Sequence, residues 1–212
     1  MEMNIRKNAY VYLAVIAGAA FVSAFSAGDG REPTPEQVYR HERLEVEVPD
    51  FPAQGLILDI GGGGEGVIGQ LKGTQVIAID LLKRELEDAP AGPLLKIVMD
   101  ARELKFLDRS FPTATVFFTF MYIAPPDHEQ VFKEIHRVLA PGGRLLVWDV
   151  LFPKKSDSRQ LHINYPLHIV LPKREINTGY GVHFAEGQGM AHFVDLARKA
   201  RFGVKIQRPS KG

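Results

Sequence analysis

The stretch LILDIGGGGEG, from Leu56 to Gly66, joins a short apolar run to a loop that contains four consecutive glycines. A continuous apolar run of this length is typical of a strand buried on both faces of a parallel sheet. Glycines directly after such a strand permit positive φ angles and let a ligand approach the backbone closely. The stretch therefore predicts an α/β fold with a ligand-binding loop at the carboxyl end of a strand.

Strand and helix patterns alternate on both sides of this stretch. Apolar and β-branched runs predict parallel strands at 56–60, 75–80, 96–100, 114–120 and 144–150. Helical spacing or composition predicts helices at 67–71, 83–89, 127–139 and 190–197. A short strand is expected at 44–48, a possible antiparallel pair at 161–171 and 175–184, and a last strand at 202–207. We therefore expect a doubly wound, mostly parallel sheet of the seven-stranded type.

Composition sets broad limits on function. The 212 residues carry a formal net charge of only +1 and no long Lys/Arg run, so nothing indicates a nucleic-acid partner. There is no cysteine, which excludes disulfides, thiolate catalysis and cysteine metal sites. The histidines show no recognisable metal spacing with a supporting carboxylate, so no metal is predicted. The sequence predicts no particular oligomeric state.

The N-terminal segment differs from this picture. Arg6 and Lys7 precede an uncharged apolar stretch, residues 9–27, that as a helix would rise about 28 Å, close to the thickness of a bilayer's hydrocarbon core. Three interpretations stay open: a membrane anchor, a cleaved signal peptide, or an apolar helix packed on the domain. The expected domains are this segment (1–27), a linker and lead-in (28–54) and a catalytic domain (55–212). Membrane association with a cytoplasmic catalytic domain is expected, and export after cleavage is the alternative.

The glycine loop by itself fits two ligand classes. Gly61, Gly63 and Gly66 match the dinucleotide fingerprint G-x-G-x-x-G, and Asp80 ends the next strand, where an acid binds ribose hydroxyls. An NAD-dependent oxidoreductase of the Rossmann type would show the same pattern. Asp59, however, lies two residues before the first glycine, where a negative charge favours a ligand with an ammonium group over a pyrophosphate.

Further motifs distinguish the two. Asp100 ends the third strand, LKFLDRSF spans 104–111, and EIHRVLAPGGRLLVWDV spans 134–150 with a Pro-Gly-Gly junction between helix and strand. From about Leu56 to Val150 the chain resembles the class I S-adenosylmethionine-dependent methyltransferases, in their small-molecule and quinone-type branch. It departs from that family's D-x-G-x-G-x-G pattern at Glu65, where the family has glycine.

The resemblance implies roles for individual residues. S-adenosylmethionine is the implied cofactor, with its methionine end beside the loop, its ribose on Asp80 and its adenine between Leu81 and Asp100. The cofactor-binding residues predicted in this way are Asp59, Gly61, Gly63, Asp80, Leu81, Asp100, Ala101 and Thr119. The acceptor is expected to contact Phe120, Tyr122 and His162. No catalytic base is predicted, and His128 and His136 are expected at the surface of their helix.

The function predicted from these residues is methyl transfer from S-adenosylmethionine to a small or lipophilic acceptor that the sequence does not identify. A membrane-associated N-terminal segment would favour a quinone, isoprenoid or lipid-like acceptor. The alternatives are the NAD-dependent oxidoreductase and a module that binds S-adenosylmethionine without turnover.

Overall fold

A computed structural model describes residues 10–15, 33–155, 157–184 and 188–207. Four α-helices and eleven strands occur in these residues. The strands are β1 (Tyr10–Val15), β2 (Val38–Arg40), β3 (Leu44–Glu47), β4 (Ile57–Ile60), β5 (Val76–Asp80), β6 (Leu95–Val98), β7 (Phe111–Phe117), β8 (Leu139–Asp149), β9 (His162–Leu171), β10 (Arg174–His183) and β11 (Gly203–Gln207). The helices are α1 (Val67–Lys72), α2 (Lys83–Asp88), α3 (His128–Val138) and α4 (Met190–Lys199).

Contacts divide the described chain into two compact units. The first unit contains β1, residues 52–149 and the segment that begins at Met190. The second contains β2, β3 and residues 150–189. Part of the predicted lead-in, residues 28–54, thus forms strands, and the domain boundaries expected from the sequence stay predictions.

The first unit is built on a seven-stranded sheet in the order β11-β1-β8-β7-β4-β5-β6. Every neighbouring pair is parallel, as the sequence led us to expect for most of the sheet. The chain runs from β4 outward through β5 and β6, then returns to the other side of β4 to form β7. Strand order therefore reverses between β4 and β7, and open parallel sheets bind their ligands at the carboxyl ends of the strands beside such a reversal.

Helix α3 shows how apolar spacing fixes the packing of this unit. Val131, Phe132, Ile135 and Val138 are fully buried and fall on one side of the helix. Burial of each side chain contributes about 1.5–3 kcal/mol relative to exposure to water. The helix ends at Val138, and the Pro141-Gly142-Gly143 sequence that follows lies inside the long strand β8.

The N-terminal helix predicted over residues 9–27 is wrong for residues 10–15. These residues form β1, which lies inside the sheet between β8 and β11, and Val11 is fully buried there. Aromatic and β-branched residues in YVYLAV favour an extended backbone, and two parallel neighbours satisfy its hydrogen bonds. Residues 16–27 lie outside the described residues. No helix in the described ranges is long and apolar enough to cross a membrane.

The second unit contains a smaller sheet centred on β9. Strand β10 pairs with β9 in antiparallel register from His183 opposite His162 to Arg174 opposite Leu171, which confirms the predicted antiparallel pair. Strands β2 and β3 pair with β9 in parallel. One face of β9 is buried through alternate apolar residues: Ile163, Tyr165, Leu167, Ile169 and Leu171.

Candidate functional site

The glycine loop leaves the carboxyl end of β4 and turns back on β5. The N–H groups of Gly61 and Gly62 both donate to the Ile79 carbonyl, at 2.9 and 3.0 Å. Gly61 has φ +70°, and a Cβ at this position would lie 2.2 Å from Thr119 Oγ1. Only glycine fits both the backbone conformation and the space, so the loop is held close against β5 and the residues after β7.

Asp59 places a buried carboxylate directly beneath this loop. Its side chain is 2% exposed, and Thr115 Oγ1 on the neighbouring strand β7 donates to Oδ1 at 2.7 Å. Burial, with a contribution from the nearby Asp80 charge, raises the pKa of Asp59 to about 7, although the Thr115 hydrogen bond acts in the opposite direction. The group can therefore exchange a proton near neutral pH, and a bound cation would favour its ionised form.

Asp80 lies at the end of β5 on the other side of the loop. Its Oδ1 accepts a hydrogen bond from the Leu82 N–H at 2.9 Å, and the Gly63 N–H also donates to this carboxylate. Partial burial raises the pKa of Asp80 despite these backbone donors. A carboxylate has about four lone-pair positions, so Asp80 can bind the loop and still accept bonds from a ligand's hydroxyl groups.

Two further acids, Glu65 and Glu85, add negative charge to this edge. The pKa of Glu85 on α2 is raised by burial and then by neighbouring acids, which include Asp80 and Glu65. An edge with this charge attracts a ligand that carries a cation and repels a pyrophosphate. Asp80 suits the ribose of either ligand class, whereas the charge of Asp59 favours a ligand with a cation beside the loop.

The structure places the predicted adenine contacts along β5 and β6. Leu81 is 59% exposed directly after β5, which leaves an apolar surface available to a flat ring. Asp100 and Ala101 follow β6, but the Asp100 carboxylate is bound by the Arg102 guanidinium at 2.7 Å, which holds the pKa of Asp100 below its usual range. The Asp100 carboxylate thus binds Arg102 within a local turn, and its contact with adenine stays a prediction.

Thr119 and the short turn after it form the edge of the site beside β7. The Thr119 hydroxyl lies 3.1 Å from the carbonyl oxygens of both Ile60 and Phe117, so it bridges the ends of β4 and β7. Tyr122 is 55% exposed, and partial burial together with the charges of Glu65, Glu85 and Asp149 raises the pKa of its phenol.

Phe120 and His162 were both predicted to contact the acceptor, and they belong to the first and the second unit respectively. Phe120 is fully buried, and its ring stacks on Phe132 with centroids 5.0 Å apart, so its side chain belongs to the core. His162 lies on β9 in the second unit, where its ring is 4.5 Å from that of His183. The role of His162 stays a prediction.

Sequence reasoning missed three polar residues of the first unit. Thr115 is paired in register with Asp59, and Asp149 ends β8 as Asp80 ends β5, so the strand-end pattern of aspartates could have identified Asp149. His128 was expected at the surface, which is wrong because it is fully buried. Its partner His192 is 64 residues away in sequence, and no local pattern indicates that contact.

The described part of the chain contains no cluster of metal ligands. No group of three or more His, Asp or Glu side chains within it is arranged to hold a metal ion. Asp59 on β4 binds one threonine, and Asp80 on β5 binds backbone N–H groups.

Comparison with known proteins gives a consistent result. Residues 58–147 match the family model described as "Methyltransferase domain". Demethylmenaquinone methyltransferase from Thermus thermophilus is 32% identical over 127 residues, which is 55% of this chain and 57% of that protein. Sterol 4-C-methyltransferase from Caenorhabditis elegans is 32% identical over 104 residues, which is 44% of this chain and 30% of that protein. The chain thus spans just over half the length of the first relative and less than a third of the second.

Among solved structures, the YcgJ protein from Bacillus subtilis is 26% identical to this chain. It covers 49% of this chain and 47% of its own length, with a TM-score of 0.43. The matched region of the family model begins within β4 and ends within β8, so it contains the glycine loop, Asp80 and the turn after β7.

Proposed function

We propose that this chain, in which residues 58–147 are a class I S-adenosylmethionine-dependent methyltransferase domain, transfers a methyl group to a small lipophilic acceptor. S-adenosylmethionine is the cofactor of this class. The proposal goes beyond the domain match in assigning turnover to the whole chain and in naming the class of acceptor.

The observation that supports the proposal best is the pair of acids beside the glycine loop. Asp59 and Asp80 interact electrostatically with each other, and burial raises the pKa of both. A ligand with an ammonium and a sulfonium group relieves this repulsion, whereas the pyrophosphate of NAD increases it. The residues present therefore fit S-adenosylmethionine better than a dinucleotide.

Residues of the first unit would hold the cofactor in three places. Asp59, Gly61 and Gly63 would hold the methionine end, Asp80 would accept the ribose hydroxyls, and Leu81 would contact the adenine. The two glycines matter for space, because a Cβ on Gly63 would lie 2.5 Å from Glu85 Cβ. Side chains at these positions would collide with the neighbouring Thr119 and Glu85 and displace the loop.

The bound cofactor supplies an electrophilic methyl group on a positively charged sulfur. The protein's own contribution is orientation: the rigid ends of β4, β5 and β7 fix both reactants, and orientation of this kind accounts for about 7–11 kcal/mol in favourable intramolecular reactions. A base is required only when the acceptor is protonated at the working pH. Tyr122 is the exposed polar side chain at the turn after β7, and its phenol is neutral near pH 7, as a tyrosine ordinarily is.

Two relatives support the proposed class of acceptor. One is named for demethylmenaquinone and the other for a sterol, which are both lipophilic compounds. We extend that class to this chain.

Its cellular location is part of the proposal: a membrane-associated chain with a cytoplasmic catalytic unit, which a topology reporter fused to the C-terminus would test.

The direct test is transfer of labelled methyl groups by the full chain. Demethylmenaquinone in oxidised and reduced form, a sterol and a total lipid extract serve as acceptors. We expect label in the organic phase, and we expect Asp80→Asn to reduce it at limiting cofactor. Asp88→Asn, which changes an exposed acid on α2, is the matched control.

Two outcomes distinguish the alternatives. Binding of S-adenosylmethionine without transfer to any of these acceptors supports a binding module and contradicts turnover. Protection from thermal unfolding by NAD, but not by S-adenosylhomocysteine, contradicts the cofactor assignment and favours an oxidoreductase.

A further inference from the structure

The connection from β7 to the short turn Phe120–Tyr122 has an unusual backbone. Phe118 has φ +50°, a left-handed conformation that a bulky side chain rarely adopts. Its N–H donates to the Trp148 carbonyl at 2.7 Å, and its ring is 2% exposed. A conformation of this kind persists only where the surrounding structure holds it, and such residues concentrate at functional sites.

Two buried polar side chains hold the residue that follows. Asp149 Oδ2, at the end of β8, accepts a hydrogen bond from the Phe120 N–H at 2.8 Å. His128 Nε2, on α3, lies 3.0 Å from the Phe120 carbonyl oxygen and 2.9 Å from that of Ile123. The short turn Phe120–Tyr122 is therefore bound at both ends by side chains from two other elements.

The partners of His128 determine which ring nitrogen carries the proton. Carbonyl oxygens only accept hydrogen bonds, so Nε2 must be protonated to bind Phe120 and Ile123. In the neutral ring, Nδ1 is then an acceptor, and His192 Nε2 on α4 lies 2.9 Å away, where its N–H can donate. The two carbonyls thus select the His128 tautomer, and His192 can donate to the remaining nitrogen.

Packing keeps this ring in place. The Phe120 ring meets His128 edge-on at 5.2 Å and contacts Phe193 of α4 at 5.6 Å. His128 is fully buried, and burial lowers its pKa, so the ring is neutral at physiological pH. A buried imidazole here binds two backbone carbonyls. A core position without such a role would carry an apolar side chain.

We propose that His128 and Asp149 are positioning residues, which hold the turn Phe120–Tyr122 so that Tyr122 and Thr119 face the methyl-transfer site in one fixed arrangement. His192 supports them as the partner of His128 Nδ1. This inference rests on the proposed function, because it assigns the turn a role in methyl transfer. His128 binds the backbone of the turn at Phe120 and Ile123, so we expect its loss to act mainly on the rate of transfer and less on cofactor binding.

The test compares three variants of the full chain: His128→Ala, His128→Gln and His136→Ala. Glutamine restores an N–H donor near the position of Nε2, whereas alanine removes it. His136 is a partly buried histidine two turns further along α3, with its ring against Phe202, and serves as the matched control. We expect His128→Ala to lower kcat about 10- to 100-fold, with little change in KM for S-adenosylmethionine. His128→Gln should recover most of the loss, and His136→Ala should retain the full rate.

Two measurements do not depend on activity. Nitrogen-15 shifts of the wild-type imidazoles should show His128 protonated at Nε2 and unprotonated at Nδ1. The amide of Ile123, which donates to the Phe120 carbonyl, should exchange up to about tenfold faster in His128→Ala.

The outcomes separate this inference from the proposed function. If no acceptor is methylated by the wild type, the proposed function fails. Independently of activity, unchanged exchange of the Ile123 amide in His128→Ala would show that His128 does not restrain the turn. An Nδ1-protonated His128, or equal losses of kcat in His128→Gln and His128→Ala, would overturn the positioning role. An increased KM for the cofactor with an unchanged kcat would also contradict it.

Discussion

Asp59→Asn should make the chain more stable and at the same time weaken its hold on the cofactor. The Asp59 carboxyl is 2% exposed, receives a hydrogen bond from Thr115, and has its pKa raised from 3.8 to about 7. A group whose pKa is higher in the folded state stabilises the fold in its protonated form. That contribution is complete below about pH 4 and is lost as the pH rises through 7.

The magnitude follows from the two pKa values. Three pKa units correspond to about 4 kcal/mol, which is an upper bound for the cost of keeping this carboxylate ionised above pH 7. Asparagine keeps the size and can still accept the Thr115 hydrogen bond, but it never ionises. Asp59→Asn should therefore raise the free energy of unfolding at pH 8 by up to about 4 kcal/mol, and by little near pH 4.

Urea unfolding of both proteins between pH 4 and pH 8 measures this difference. Asp88→Asn, which removes an exposed acid, should stay within about 0.5 kcal/mol of wild type across the range. Calorimetry should also show S-adenosylmethionine binding about ten- to a hundredfold more weakly to Asp59→Asn, because a charged hydrogen bond is worth about 1.5–3 kcal/mol. A stability difference that is flat with pH, or a variant less stable than wild type at pH 8, would refute the reasoning.

The remaining predictions test the loop, the first strand and the second unit. Gly61→Ala should cost about 1–3 kcal/mol of stability and abolish cofactor binding, because φ is +70° and the added Cβ meets Thr119; normal binding in a thermal-shift assay would contradict this. Val11→Asp should lower the free energy of unfolding by about 3–5 kcal/mol, since it buries an unpaired charge inside the sheet; an unchanged urea midpoint would place β1 elsewhere. His168 lies between the carboxylates of Glu45 and Glu175, which raise its pKa, so its stabilising effect is complete below about pH 6.5 and lost above it as the ring deprotonates. His168→Gln should remove that part of the pH dependence, and an identical profile in the variant would show that the pair of contacts contributes nothing.

The central part of the fold could be predicted because its signals are local. Strands β4, β5 and β7 are short apolar or β-branched runs, and the glycine loop directly follows the first of them. Their parallel direction follows from the alternation with helices. Asp59 and Asp80 could be assigned to the site for the same reason, since carboxyl ends of parallel strands meet at one edge.

The features that escaped prediction depend on distant partners. Residues 10–15 belong to a long apolar stretch that is equally suitable for a helix, and only pairing with β8 and β11 makes them a strand. His128 follows a proline-rich turn at the start of a helix, where exposure is usual, and its burial depends on His192. Phe120 looks like a ligand contact from its place at a strand end, but the left-handed Phe118 before it changes the direction of the chain.

Calorimetric titration of the full chain with S-adenosylmethionine and with NAD tests the central claim most directly. The account predicts one binding site for S-adenosylmethionine, weakened about ten- to a hundredfold by Asp80→Asn, and no detectable heat with NAD. Binding of NAD, or affinity for S-adenosylmethionine that Asp80→Asn leaves unchanged, would contradict the assignment of the acidic glycine loop as the cofactor site.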